Sequence, residues 1–474
     1  MKKLFLTLTL SVSFFFLSFA QKVWTLEDCI QHAFENNIQI KQYMLGVENA
    51  ETNLLQSKLN LLPNLNGYVS HGWNWGQAID RFTNQFATER VRSNNFYASS
   101  SFNVFSGFQK INTVRQEQLN AMASRLDADS FMDDLALNIA TAYLQLLFAE
   151  EILENTTNQL NITRQQVERM EKLVAAGTLA KGDLLTIEAQ AAAEELQMVE
   201  ARNNLDLTYL TLVQMLDLPS VQNFRILKPE IELYESQTMT MTPEQIFTNA
   251  VVKRPNIKSA ELKVESAIKN LAIARGAQSP SISMNASWGT GFSGAQKTGE
   301  DAITIPTEFG YVWFNNAKVP VFTDYTQYSK YEIKPFKQQF NDNNNRTIDF
   351  RMSIPIFNGW YVRSSIEKAK LAIQNASYEH ETAKLQLNKT IQQAWADASA
   401  SLKKYAASGK KVEATEESFK YAEQRFNLGM LTSLDYNNAK NELQRAQSEM
   451  LQAKYNYIFK TKVLDFYMGI PITL

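Results

Sequence analysis

Few side chains in this sequence are spaced for chemistry. The histidines His32, His71 and His380 fall on different predicted elements, so they indicate neither a metal site nor a catalytic triad. The motifs H-E-x-x-H, G-x-x-x-x-G-K-[ST] and G-x-S-x-G are absent, and we expect a protein that is not an enzyme and needs no cofactor or metal. Met239 and Met241 would suit copper, but two methionines in a linker are more often incidental.

Two aspartates recur at matching positions. Asp183 and Asp435 each lie six residues beyond a glycine, Gly177 and Gly429, in stretches that recur 252 residues apart. Each stretch predicts a helix, a glycine that ends it, a short turn and a second helix, because glycine adopts the positive φ found just past a helix end. We expect each aspartate to be the N-cap of the second helix and to accept its free backbone N–H groups.

The turns between these helices carry apolar side chains. Thr178 and Leu179 follow the first glycine, and Met430 and Leu431 follow the second. If these side chains are exposed, they form a docking surface for another protein. Alternatively, they pack against their own hairpin.

Composition argues for a large core and against a nucleic-acid partner. Of the 474 residues, 45% are hydrophobic, and the formal net charge is −2 without polybasic runs. Cys29 is the only cysteine, so a disulfide within the chain is impossible.

The N-terminus predicts export. Residues 1–20 combine two lysines, an apolar stretch from Leu4 to Leu17 and small residues before Gln21, which is the pattern of a cleavable signal peptide. An uncleaved anchor is the alternative, but the apolar run is short. After residue 20 no stretch approaches the roughly 18 uninterrupted apolar residues of a transmembrane helix, so the exported chain is either soluble or spans a membrane as β-strands.

The same order of elements occurs twice. Proline is absent from 64–218 and 356–470, which predicts helical hairpins at about 107–219 and 359–471. Their first helices, at 1.5 Å per residue, are about 100 Å long and must pack lengthwise against similar helices. The predicted organisation is a signal peptide (1–20), a first repeat (21–219), a linker or equatorial segment (220–241) and a second repeat (242–474).

Alternating stretches predict two strand pairs, at about 64–105 and 281–357. In the second pair, Ile348, Phe350 and Met352 alternate with polar residues. This alternation fits strands that cross a bilayer with one face to lipid and the other to water, and an ordinary half-buried hairpin is the alternative. Four strands cannot close an outer-membrane barrel, which needs at least about 8, so spanning strands require several copies of the chain.

The second repeat has about 35 residues between its strands that the first repeat lacks, and they lie in the connection at 296–346. We predict that it is a long irregular loop. Its aromatic side chains suit a lid, a ligand surface or packing against a neighbouring copy, and we favour the last.

Five motifs stand out: the strand-to-helix junctions of both halves, both hairpin tips and a stretch of the last helix. They are Phe105-Ser106-Gly107-Phe108, Phe357-Asn358-Gly359-Trp360, Ala176-Gly177-Thr178-Leu179, Leu428-Gly429-Met430-Leu431 and Ala453-Lys454-Tyr455-Asn456-Tyr457. With the doubled order of elements, they resemble the TolC-type family of outer-membrane efflux ducts over nearly all of the mature chain. Each motif alone has little specificity, whereas the doubled architecture has much.

The resemblance implies an α+β membrane protein. Three identical chains would contribute four strands each to one barrel in the lipid of the outer membrane, continuous with a long α-helical barrel in the periplasm. The trimer would be the exit duct of an efflux or type I secretion system, docked through a periplasmic adaptor (membrane fusion) protein to an inner-membrane pump. The implied docking residues of the tips are Gly177, Thr178, Leu179, Gly429, Met430 and Leu431.

Asp183 and Asp435 would then lie at the periplasmic aperture. Either they only cap helices, or three copies also form an acidic ring that favours cations and holds the gate. Asn438 stands one turn beyond Asp435, where some members of the family carry another acid. Two other classes remain open, a partner-independent porin, which would not need the long hairpins, and a soluble periplasmic scaffold, which would not need the strands.

Overall fold

The computed structural model describes residues 23–220, 224–229 and 237–473. The signal peptide predicted at 1–20 and parts of the segment 220–241 lie outside these residues. The described chain forms two compact units. The strand unit comprises Asn53–Glu117 and Ile268–Leu371, and the helical unit comprises the remaining described residues.

Helices of matching length recur in the two halves. Among the described residues they are α1 (Leu26–Asn36), α2 (Ile38–Leu59), α3 (Gln109–Ala175), α4 (Lys181–Met215), α5 (Pro243–Lys253), α6 (Pro255–Gly276), α7 (Phe336–Asp342), α8 (Tyr361–Asn427) and α9 (Ser433–Met468). Helices α1 and α5 have 11 residues each, α2 and α6 have 22, and α3 and α8 have 67. The long helices are therefore about 100 Å in length.

The strands complete the element order. They are β1 (Val23–Trp24), β2 (Asn66–Asn74), β3 (Ala78–Ile79), β4 (Phe86–Ala87), β5 (Val91–Ser106), β6 (Arg225–Ile226), β7 (Ser281–Ser293), β8 (Lys297–Phe314), β9 (Ala317–Ile333) and β10 (Asn345–Ser353).

Capping residues fix where the short helices begin and end. Thr25 and Thr242 each form a capping box with the residue three positions on. In each half a break of one residue separates the first helix from the second. The Asn37 side chain accepts the N–H of Ile40 and starts α2, and Arg254 precedes a proline, which disfavours helical geometry.

The helical unit has two apolar cores, and each buries a short helix against a long one. Cys29 of α1 lies in the first core with side chains of α3, α4 and α9, and Ile246 of α5 lies in the second with side chains of α6, α8 and α9. Among the described helices, α3 carries a stretch of mean hydropathy 1.2, long and apolar enough to cross a membrane. Half of that stretch is buried in the fold, as in a core helix.

The strand unit contains an antiparallel sheet in the order β10-β7-β5-β2. Its register sorts the side chains by polarity, since Ile348 lies opposite Ala286 while Asp349 lies opposite Asn285. One face is therefore predominantly apolar and the other polar. Phe350, on the apolar face, is 69% exposed in the single chain, so β10 lacks cover on that face, whereas α7 covers part of β7 and β5.

The prediction of an irregular loop at 296–346 is wrong. Strands β8 and β9 form a hairpin, closed by Asn315 and Asn316 with positive φ as in a type I′ turn, and the short helix α7 follows. Alternation failed as a signal because both faces of the hairpin carry apolar side chains. The last strand is also shorter than predicted, because β10 ends at Ser353, two residues before Pro355, which has no N–H to donate.

The two strand-to-helix junctions differ in crowding, which yields a matched pair of variants. Gly107 and Gly359 have φ of 61° and 60°, but a Cβ at Gly107 would overlap the carbonyl oxygen of Gly276, whereas one at Gly359 meets no atom within 4 Å. We expect Gly359→Ala to cost about 1–2 kcal/mol through its left-handed backbone, and Gly107→Ala to cost clearly more. Thermal unfolding of both variants in detergent measures this. Equal midpoints would contradict the close approach.

Candidate functional site at the tips of the helical hairpins

Both long helices end in the same hydrogen-bonded turn. At the first tip, Thr178 N–H donates to the Leu173 carbonyl (3.0 Å) and Gly177 N–H donates to that of Val174 (2.9 Å). This is a Schellman end, and it requires the positive φ of 73° that Gly177 adopts.

The second tip repeats this pattern. Met430 N–H donates to Arg425 (2.8 Å), Gly429 N–H donates to Phe426 (3.0 Å), and Gly429 has φ of 74°. The two glycines therefore end their helices as the sequence predicted.

Neither aspartate is an N-cap, contrary to the sequence prediction. Ala180 precedes α4 without a side-chain capping bond, and Asp183 is the third residue of that helix. Thr432 precedes α9, and its hydroxyl accepts the Asp435 N–H (3.1 Å) and donates to the Asp435 carboxylate (2.7 Å). An acid in the first turn is favoured by the positive end of the helix, so it marks a helix start without being the cap.

The two tips enclose a cleft of about 690 Å³ within the helical unit. Leu179 and Leu431, for which the sequence left exposure or packing against their own hairpin open, are half-buried and line this cleft. Met430 lies outside it and is 65% exposed. The structure thus divides the predicted docking residues between the cleft and the open tip.

Three exposed leucines in the tip segments were not among the predicted docking residues. Leu428 is 74% exposed, Leu434 is 61% exposed, and Leu185, on α4, is 54% exposed. Apolar residues at helix ends beside a glycine turn are a usable signal for such a surface. The exposed apolar surface of the tips is therefore larger than predicted, and the second hairpin contributes most of it.

Polar contacts join the two hairpins across the cleft. The Ser433 hydroxyl donates to the Asp183 carboxylate (3.2 Å), and the Arg169 guanidinium donates to the Asn427 amide oxygen (2.8 Å). Asp183 is consequently half-buried, whereas Asp435 bonds its own cap residue and is exposed. The two acids that the sequence treated as equivalent have different surroundings.

Tyr436 forms the floor of this contact. Its side chain is 1% exposed, its ring stacks on Phe426 with centroids 4.6 Å apart, and its hydroxyl accepts a hydrogen bond from the Gln166 amide of α3. Burial raises the pKa of the Tyr436 hydroxyl, so it stays protonated. The second tip is thereby fixed to the first hairpin.

A charged pair is buried about one helical turn beyond Tyr436 along α9. Lys440 (3% exposed) lies with its Nζ 3.2 Å from Glu194 of α4 (1% exposed), and both contact the Thr163 hydroxyl of α3. Burial lowers the pKa of the Lys440 ammonium, and the Glu194 carboxylate opposes that shift. This contact joins three helices.

Paired helical hairpins of this length and an antiparallel sheet with one apolar and one polar face define a class, that of the mixed helix-and-strand outer-membrane channels. The model of the outer membrane efflux proteins matches residues 29–217 and 247–469. The chain belongs to the outer membrane efflux protein family and is an outer-membrane protein.

Individual relatives agree with this assignment. The chain is 22% identical to outer membrane protein TolC of Escherichia coli, over 97% of this chain and 84% of TolC. It is 20% identical to alkaline protease secretion protein AprF of Pseudomonas aeruginosa, over 92% of this chain and 83% of AprF. The structure of VceC from Vibrio cholerae is similar, with a TM-score of 0.74 at 16% identity, over 94% of this chain and 96% of VceC. The resemblance predicted from the sequence motifs is confirmed.

The buried pair predicts a large effect of a single substitution. Lys440→Met leaves Glu194 buried without its cation and should lower the free energy of unfolding by about 3–5 kcal/mol. The double variant Lys440→Met, Glu194→Leu should recover most of this loss, because no unpaired charge remains. Urea unfolding in detergent, followed by circular dichroism, measures both.

Lys460→Met is the matched control for this prediction. Lys460 pairs with Asp397 at 2.8 Å, but both side chains are about one-third exposed. Its loss should cost no more than about 1 kcal/mol. A Lys440→Met variant as stable as Lys460→Met would show that the buried pair does not hold the hairpins together.

Proposed function

We propose that this protein is the outer-membrane exit duct of a multicomponent efflux or type I secretion system. It would pass substrates from the periplasm to the exterior when docked to a periplasmic adaptor and an inner-membrane pump. The observation that carries the proposal is the four-stranded sheet, whose apolar face is exposed along the edge strands β10 and β2 and whose opposite face is polar. Such a sheet suits lipid on one side and water on the other.

Closure of this sheet requires other copies. A barrel needs at least about 8 strands, and one chain supplies four, so we propose a homotrimer with a twelve-stranded barrel in outer-membrane lipid. The hairpins α3–α4 and α8–α9 would form the helical barrel in the periplasm. In this proposal residues 1–20 are the signal peptide, and the segment 220–241 joins the repeats 21–219 and 242–474.

The hairpin tips would be the docking site for the adaptor. Exposed Met430 and Leu428 offer apolar contact at the second tip. The cleft lined by Thr178, Leu179 and Leu431 offers a recess for an adaptor side chain. Gly177 and Gly429 would shape both turns. AprF is named as a protease secretion protein, which supports a secretion system as one of the two options.

The aspartates would lie at the periplasmic aperture. Asp435 is exposed, so three copies of it could form a ring that attracts cations. Asp183 would act chiefly through its bond to Ser433, which holds the hairpins together. The duct consumes no energy, so opening follows from differential binding of its partners or from its own equilibrium.

Photo-crosslinking in cells tests the docking site. A photoreactive residue at Met430 should capture a periplasmic adaptor, whereas the same residue at Gln338, exposed on α7 of the strand unit, should not. Capture from both positions, or crosslinks from Met430 only to other copies of this chain, would contradict adaptor docking at the tip. In planar bilayers, a high conductance without any partner would favour a porin instead.

Single-channel recording tests the acidic ring. Asp435→Asn should weaken the block of the channel by divalent cations applied from the periplasmic side, because it removes three charges from one aperture. Asp206→Asn, at an exposed position of α4 far along the chain from the tip, is the matched control and should leave the block unchanged. Identical block in both variants would limit Asp435 to its contact with Thr432.

A further inference from the structure

The hairpin β8–β9 lacks cover from the residues of its own chain that the structure describes. Its strands, of 18 and 17 residues, form a two-stranded sheet with each other and pair with no further described strand. Large apolar side chains are exposed along its whole length, for example Phe309 (82%), Trp313 (69%) and Tyr325 (60%). An isolated two-stranded ribbon is at best marginally stable in water, and exposed apolar surface of this extent marks an interaction site.

Charge argues against an anionic cover. Residues 297–333 contain three lysines and five acidic residues, and Lys330 is paired with Glu332. A surface that bound nucleic acid or phosphate-bearing headgroups would carry an excess of lysine or arginine. The surface that covers the hairpin should therefore be apolar and close to neutral, as the contact surface of another protein chain can be.

Topology places the hairpin beside the seam between copies. Strands β10 and β2 are the two edges of the sheet, and the antiparallel order requires β10 of one copy to pair with β2 of the next when a barrel closes. The hairpin lies in the connection from β7 to β10. The connection from β2 to β5, residues 75–90, emerges at the same end of the sheet, as the paired residues Asn74 and Val91 show.

Residues 75–90 offer a matching apolar surface. Trp75 is 72% exposed, Ile79 is 61% exposed and Phe86 is 68% exposed. The other side of this connection is already used by its own chain, because the Asp80 carboxylate accepts a hydrogen bond from the Ser293 hydroxyl (2.5 Å). The connection is thus fixed in place while three large apolar side chains remain available to a neighbour.

We propose that the β8–β9 hairpin of one copy packs on residues 75–90 of the neighbouring copy and closes the subunit seam beyond the end of the barrel strands. The inference rests on the homotrimer of the proposed function and adds to it the segments that meet outside the barrel. In this contact the long second connection supplies the hairpin, and the shorter first connection supplies the surface on which the hairpin packs.

Photo-crosslinking of the purified assembly tests this contact. A photoreactive residue at Tyr325 should give a product of twice the chain mass, and its crosslinked peptide should come from residues 75–90. The same residue at Tyr378, which is 72% exposed on α8 of the helical unit, is the control and should give no crosslink to residues 75–90. Replacing Trp75, Ile79 and Phe86 together by serine should abolish the Tyr325 product. Crosslinks from Tyr325 within one chain, or to another protein, would overturn the proposal.

Native mass spectrometry of the detergent-solubilised protein separates the two levels of the argument. Three copies per particle without an interchain product from Tyr325 would refute the hairpin contact and leave the duct intact. A single chain per particle would refute the trimer itself and the hairpin contact with it. Three copies with the expected product would support both.

Discussion

The structure depends on a sheet that one chain cannot complete. In lipid every backbone N–H and C=O must find a partner, and the outer edges of β2 and β10 pair with no other described strand of the same copy. The apolar face of the same sheet is exposed along β10, with Ile348 at 68% and Phe350 at 69%. Both deficits disappear when copies join edge to edge in a bilayer. The strands thus favour the proposed oligomer, in which the remaining elements would repeat consistently around a ring.

Internal duplication supplies that consistency. The pairs α1 and α5, α2 and α6, and α3 and α8 have equal lengths, so each half can present equivalent surfaces to its neighbours. The halves differ where they meet at the tips. There the second hairpin supplies the stacked ring of Tyr436 and the ammonium of Lys440, and the first supplies the acceptors Asp183 and Glu194. Because the long helices have equal lengths, side chains that differ between the two hairpins but complement each other come into contact.

Sequence predicted the features that depend on local pattern. Helix lengths followed from the spacing of prolines, the turns at Gly177 and Gly429 followed from the backbone freedom of glycine, and the two faces of β10 followed from strict alternation. The N-cap prediction failed because aspartate is favoured both at the N-cap and in the first turn of a helix. Asp183 and Asp435 lie in the first turn. Sequence analysis also could not find contacts between distant residues, such as Lys440 with Glu194, because no local pattern records which buried group a lysine meets.

The contacts between the hairpins form two layers of unequal strength. At the tip, the partly exposed bonds Ser433–Asp183 and Arg169–Asn427 contribute about 0.5–1.5 kcal/mol each. About 10 Å further along α9, separating Lys440 from Glu194 would leave buried charges unpaired at a cost of about 3–5 kcal/mol. The two outermost bonds are therefore the cheapest to break, whereas the buried Tyr436 and the Lys440–Glu194 pair hold the hairpins together further in. A partner protein bound to Met430 would act on the weaker bonds at the tip, while the buried Lys440–Glu194 pair would keep the rest of α9 in place.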